Sequence, residues 1–116
     1  MSKKLAIHEI EKLLAGLTEP SAVAPSPYLW RQIKDVDRNE ALARRFKFKS
    51  FEDTWAFLTK VSLRSHLLGH HPKITTVYNV VDMELTTHDV SGLTTLDFKM
   101  ASRFSRYAKD LGEKYD

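Results

Sequence analysis

The chain has 116 residues, 42% of them hydrophobic and 28% charged, with four glycines, four prolines and no cysteine. That supports one modest core and is wrong for a disordered chain. The missing cysteines exclude a disulfide framework, a thiolate nucleophile and a cysteine-based zinc site, and a net charge of +3 scattered along the chain is weak footing for a nucleic-acid binder. No run approaches the roughly 18–20 apolar residues of a membrane span, and MSKKLAIHEI has no export signal. A single domain over 1–116, in the cytoplasm or also the nucleus and without membrane contact, is the expectation.

In chain order, Leu5, Ile7, Ile10, Leu13, Leu14 and Leu17 recur mostly at three- and four-residue spacing, which predicts an amphipathic helix over 3–17 with Ser2 as its N-cap. TEPSAVAPSP (18–27) has three prolines and no period, and reads as an extended connection that wraps the domain. Residues 1–27 are thus helix plus connection. The apolar runs at 28–34 and 41–49 flank DVDRNE, whose Asp and Asn residues suit a turn, so a β-hairpin is predicted. Leu42, Phe46 and Phe48 share the parity of a buried face, Arg45, Lys47 and Lys49 that of a wet one, and Arg44 breaks the pattern. The same basic cluster could touch phosphates, but its alternation with Phe46 and Phe48 is more simply a strand, and no direct nucleic-acid binding is expected.

Ser50, with Asp53 three residues on, opens a helix that runs to about Leu68 and stops at Gly69. Its apolar residues cover more than one stripe, so Phe57, Val61, Leu67 and Leu68 are expected to leave an outward face suited to self-association. Residues 75–87 are rich in β-branched side chains and predict strand, in two segments broken near Asn79. Gly92 marks a turn. Thr94 and Asp97 then open a last helix, with Met100, Ala101, Phe104, Tyr107, Ala108 and Leu111 at helical spacing until Gly112. The order α-β-β-α-β-β-α argues for an α+β fold, an antiparallel sheet with three helices packed on one face.

The chemistry-bearing stretch is GHHPKITTVYNVVDMELTTHD (69–89). His70 and His71 follow the helix stop, and Pro72 holds His71 extended, so the two imidazoles should point to different sides. His88 comes at the end of the strand region, followed by Asp89. Histidine transfers protons near neutral pH without special tuning, which invites acid-base chemistry. A metal reading stands beside it, because His66 lies four residues before His70; yet H-x-x-x-H-H lacks the glutamate of H-E-x-x-H. Capping histidines with no chemistry remain a third reading, and Asp97 has an equally plain explanation as the third residue of its helix, bonded to the Thr94 cap.

His70-His71-Pro72, Val77-Tyr78-Asn79, Thr87-His88, Gly92-Leu93 and Asp97 together closely resemble the pterin-4a-carbinolamine dehydratase family, also described as a dimerisation cofactor of a homeodomain transcription factor. The likeness is strongest from His66 to Asp97 and looser from Trp30 to Tyr107; the first 28 residues add little. The resemblance implies a four-stranded antiparallel sheet with three helices on one face, a homodimer or homotetramer, and a hydro-lyase. Its reaction is loss of water from 4a-hydroxytetrahydrobiopterin to give quinonoid dihydrobiopterin, recycling the pterin of aromatic amino-acid hydroxylases. The pterin is the substrate, and no resident cofactor or metal is implied.

By the same resemblance His70 and His88 are the acid-base pair and His71 chiefly binds substrate, although these roles are open to exchange. Asp97 orients or charge-stabilises a histidine, and Tyr78, Thr87 and Ile74 are further substrate contacts. Two positions depart from the family pattern: His66 stands where an acidic residue is usual, and Ile74 where an aromatic one is common. The competing reading is an interaction module or transcriptional dimerisation cofactor with little or no catalysis.

Overall fold

The first amphipathic pattern becomes α1, Ile7–Ala15, in the computed structural model, which describes residues 3–17 and 27–115. The expected cap Ser2 lies outside the described residues, as does most of the proline-rich connection. Ala6 is the N-cap, and its N–H donates to the Glu9 carboxylate at 2.9 Å. Ile10 enters the core, with Leu5, Leu14 and Leu17 packed at its margin.

The hairpin forms as β1, Arg31–Lys34, and β2, Glu40–Lys47, shorter at its start than the 28–34 run suggested. Asp35 Oδ1 closes the turn by accepting from the N–H groups of Asp37 and Asn39 at 2.9 and 2.8 Å, while Arg38 takes the left-handed conformation. Then come α2, Phe51–Leu68, β3, Lys73–Val77, β4, Val80–Leu85, and α3, Thr95–Asp110. The sheet order is β1-β2-β4-β3 with every neighbouring pair antiparallel, and the three helices cover one face, the predicted α+β architecture. No helix among the described residues is long and apolar enough to cross a membrane.

Strand parity decides what enters the core. Leu42, Phe46 and Phe48 from β2 and its end, with Val81, Met83 and Leu85 from β4, are fully buried against Phe57, Val61 and Phe104. Phe57 lies with its ring centroid 4.7 Å from Phe46 and 5.0 Å from Phe48, and each such side chain contributes roughly 1.5–3 kcal/mol by leaving water. On the opposite face Arg45 makes a two-pronged cross-strand pair with Asp82 at 2.9 and 3.0 Å.

Arg44 breaks the sequence pattern because it has a buried partner. Its guanidinium meets both Glu113 oxygens at 2.7 and 2.6 Å, and its Nε donates to the Tyr28 carbonyl at 2.6 Å. Burial pushes the Glu113 carboxyl above its ordinary value, with Arg44 opposing that rise. The outward face of α2 also differs from expectation: Phe57 and Val61 are buried, and the exposed apolar residues are Phe51, Trp55, Leu63, Leu67 and Leu68. With 3.6 residues per turn, Phe57 and Val61 fall on the sheet-facing stripe with Thr54, Leu58 and Ser65.

Candidate active site

Gly69 is the local cause of the site. At φ 64° it ends α2 in the left-handed conformation; its N–H donates to the His66 carbonyl and that of His70 to the Ser65 carbonyl, at 3.1 and 3.0 Å. This paired closure satisfies the last helical carbonyls and turns the chain sharply toward β3. Lys73 pairs with Glu84 and Val77 with Val80, so continuing this antiparallel register backwards sets His70 opposite Thr87.

The two residues share one buried carboxylate. His70 Nε2 lies 2.7 Å from Asp97 Oδ1, and the other oxygen, Oδ2, accepts from the Thr87 hydroxyl at 2.7 Å and the Thr94 N–H at 2.9 Å. Asp97 is fully buried and the His70 side chain 11% exposed. Since Thr87 spends its proton on Asp97, the Thr94 hydroxyl, 2.9 Å from that of Thr87, is the donor to it. The first turn of α3, whose free N–H groups and dipole favour an acceptor there, adds to these donors. A carboxylate oxygen at this distance accepts from Nε2–H, and the tautomer that donates there leaves Nδ1 with its lone pair.

His71 points elsewhere, as expected for its neighbour in extended chain. Its ring lies 5.9 Å from that of His66, centroid to centroid, at an interplanar angle of 40°, and both residues are exposed. His66, which stands in the usual acidic position, is therefore beside His71 rather than beside His70. His88 does not close a strand: β4 ends at Leu85, and His88 opens a three-residue 3-10 turn, His88–Val90, on the surface. The bridge between Thr87 and Gly92 closes that loop, with Thr87 N–H donating to the Gly92 carbonyl at 2.8 Å. Among the described residues no hydrogen bond or ring contact joins His88 to another histidine.

Of the substrate contacts implied by resemblance, Thr87 is in the network and Ile74 packs half-buried against the core, opposite Met83. Tyr78 is 61% exposed in the turn between β3 and β4. It lies about 16 Å along the strand from Lys73, so the structure separates it from the histidines within one chain. Thr94 was legible only as a helix cap; its hydroxyl also holds Thr87. Lys4 was not legible at all: its stem crosses Gly92, where an added Cβ would lie 2.8 Å from the Lys4 Cε, and Leu5 N–H donates to the Leu93 carbonyl at 2.8 Å. The N-terminal segment thus braces the His88 loop. No set of three or more His, Asp or Glu side chains among the described residues has the arrangement to hold a metal ion.

Comparison with known proteins identifies relatives of this chain and of its fold. A Saccharomyces cerevisiae protein provisionally named pterin-4-alpha-carbinolamine dehydratase is 43% identical over 91 residues, covering 71% of this chain and 76% of its own. A Chelativorans protein with the same provisional name is 47% identical over 73 residues, covering 63% of this chain and 74% of its own. Among solved structures, a transcriptional coactivator/pterin dehydratase from Brucella melitensis superposes with a TM-score of 0.75 at 33% identity, over 91% of this chain and 99% of that one. A pterin dehydratase-like protein described as a RuBisCO assembly factor of the alpha-carboxysome reaches 0.59 at 28% identity, over 68% of this chain and 88% of that one. The family described as Pterin 4 alpha carbinolamine dehydratase matches residues 3–107, taking in α1, which the motifs alone had left out. The chain belongs to the pterin 4 alpha carbinolamine dehydratase family.

Proposed function

We propose that this chain dehydrates 4a-hydroxytetrahydropterins to quinonoid dihydropterins by histidine acid-base catalysis. The observation that supports it is the His70 imidazole held by buried Asp97, at a corner that also carries His71 and His88. In the reaction a proton is delivered to the C4a hydroxyl, the C–O bond breaks and water leaves. The lone pair of the adjacent ring nitrogen forms the new C=N bond, and the ring gives up one N–H proton. Nothing is oxidised or reduced, so two proton transfers suffice and no redox or metal cofactor is required.

His70 takes the ring proton at Nδ1, since Asp97 occupies Nε2, and the resulting imidazolium is balanced by the Asp97 charge. His88, exposed on its braced loop, protonates the hydroxyl. His71, beside His66, binds the pterin edge. The test is spectrophotometric: 4a-hydroxytetrahydropterin is generated in situ and quinonoid formation followed with wild type, His70→Ala, His71→Ala and His88→Ala. We expect the His70 and His88 variants to lose roughly 10²- to 10⁴-fold in kcat, and His71→Ala to change KM more than kcat. Wild-type protein that leaves the spontaneous rate unchanged refutes the activity.

A second role rests on the exposed Trp55, Leu63 and Leu67 of α2 and on the coactivator and assembly-factor descriptions of the two structural relatives. We infer that this face joins copies of the chain into a dimer or tetramer, from which a transcription factor could displace one. Light scattering is expected to give a mass above the monomer that falls in Leu67→Glu; a monomeric wild type at micromolar concentration sinks this role while leaving the dehydratase reading intact.

A further inference from the structure

Charge on this molecule is segregated in a way the acid-base site does not use. Residues 54–68 of α2 and 98–109 of α3 contain Lys60, Arg64, Lys99, Arg103, Arg106 and Lys109 but no Asp or Glu, whereas the chain as a whole has 18 Lys and Arg against 15 Asp and Glu. The remainder of the protein is therefore net acidic, and the two packed helices carry its surplus of positive charge. Lys60 and Arg64, and likewise Lys99 and Arg103, stand four residues apart, a spacing at which like charges oppose helix formation. None of these four cations has a carboxylate within ion-pair distance among the described residues.

Three of them, Lys60, Arg64 and Arg103, gather around one phenol. Arg64 Nε donates to the Tyr107 hydroxyl at 3.3 Å, and the Lys60 ammonium sits 4.8 Å from the centre of the Tyr107 ring. Burial pushes the Tyr107 phenol up, but Arg64 and Arg103 outweigh it, so the phenol ionises more readily than usual. The tyrosine partners cations that lack a carboxylate. Beside it, Arg64, Lys99 and Arg103 stand around a cleft of about 120 Å³ between α2 and α3, with Leu68, Leu96 and Met100 in its wall.

We propose that this cleft binds a phosphate group. Two arginines and a lysine lining one small space supply forked and point-charge donors suited to a tetrahedral oxyanion. The volume excludes a whole cofactor, for which roughly 300–1,000 Å³ is usual, and selects a compact anionic group, whether free phosphate or the phosphate end of a metabolite that extends into solvent.

The test is titration of the full chain with inorganic phosphate and with adenosine monophosphate, at constant ionic strength set by chloride, followed by NMR of the arginine side chains and by calorimetry. Saturable shifts at Arg64 and Arg103 are expected with phosphate. Affinity should fall by about tenfold or more in Arg64→Gln/Arg103→Gln and in Lys99→Gln, and be unchanged in Arg31→Gln on β1. Equal affinity for the two ligands assigns the site to free phosphate, and tighter nucleotide binding assigns it to a phosphorylated metabolite. No saturation above the chloride background, or binding as strong in Lys99→Gln and in a double variant with wild-type melting behaviour, overturns the proposal.

Discussion

Replacing Asp97 by asparagine should alter one hydrogen bond and keep two. Thr87 Oγ1 and the Thr94 N–H both donate to Oδ2, at 2.7 and 2.9 Å, whereas His70 Nε2 alone meets Oδ1, at 2.7 Å. An asparagine that puts its carbonyl oxygen in the Oδ2 position satisfies both donors and turns its amide toward His70. The imidazole must then accept at Nε2 and carry its proton on Nδ1, the reverse of the tautomer that Asp97 holds. Exchanging one charge-assisted bond for a neutral one costs about 1–2 kcal/mol. For a domain of this size that lowers Tm by roughly 4–8 °C.

Activity should fall far more, because a base with its proton already on Nδ1 forfeits most of the roughly 10²- to 10⁴-fold that proton transfer supplies. Asp97→Ala instead leaves the Thr94 N–H, the Thr87 hydroxyl and the His70 N–H without their acceptor, at about 1–3 kcal/mol each, so it should destabilise by about 3 kcal/mol or more. Thermal melts, nitrogen NMR of the His70 ring and the dehydration assay read the three effects separately. Asp97→Asn with a reversed tautomer and a wild-type rate would refute the role given to Nδ1. An asparagine variant as unstable as the alanine one would refute the shared-oxygen geometry.

Gly69→Ala places a side chain in the left-handed conformation, but an added Cβ meets nothing within 4 Å, so strain alone should cost about 1–2 kcal/mol in urea unfolding. At Gly92 the opposite holds: φ lies outside the left-handed region and the obstacle is the flexible end of Lys4, so Gly92→Ala should cost less than about 1 kcal/mol, and Lys4→Ala should relieve it. Arg44→Ala strands Glu113, whose side chain is 2% exposed, and should cost about 3–5 kcal/mol; replacing both partners by apolar residues of similar volume should restore much of it. Glu40 is held below the ordinary 4.5 by its hydrogen bonds to Lys34 and Gln32, against the opposing effect of burial. Its folded pKa being the lower, it stabilises above pH 4.5 and loses that contribution as pH falls through the folded value; acid titration of stability in Glu40→Gln should lack this component.

The elements were legible because each is specified by near neighbours in the chain. Ser50 and Gly69 bracket α2 through hydrogen bonds to residues three to five away, and the alternation in 80–85 is a property of strand pleating alone. The turn of β3 into β4 was also found, though not its chemistry: Tyr78 takes the left-handed conformation, freeing the Asn79 side chain to donate to the Phe48 carbonyl at 2.8 Å.

What the amino-acid sequence determined by itself was therefore the order of elements, the parity of the strands and a set of histidines suited to proton transfer. Tertiary structure alone decided which histidine Asp97 holds, because His70 and Asp97 are 27 residues apart and meet only after the β3–β4 hairpin has folded back and α3 has docked across it. It likewise decided that Arg44 is a buried cation, since Glu113 arrives from 69 residues away, and that Phe57 and Val61 face inward. Periodicity states that a side chain shares a face with others. Whether that face meets water, a carboxylate or another ring depends on long-range packing, which is paid for by burial summed over the whole core and leaves no local trace in the chain.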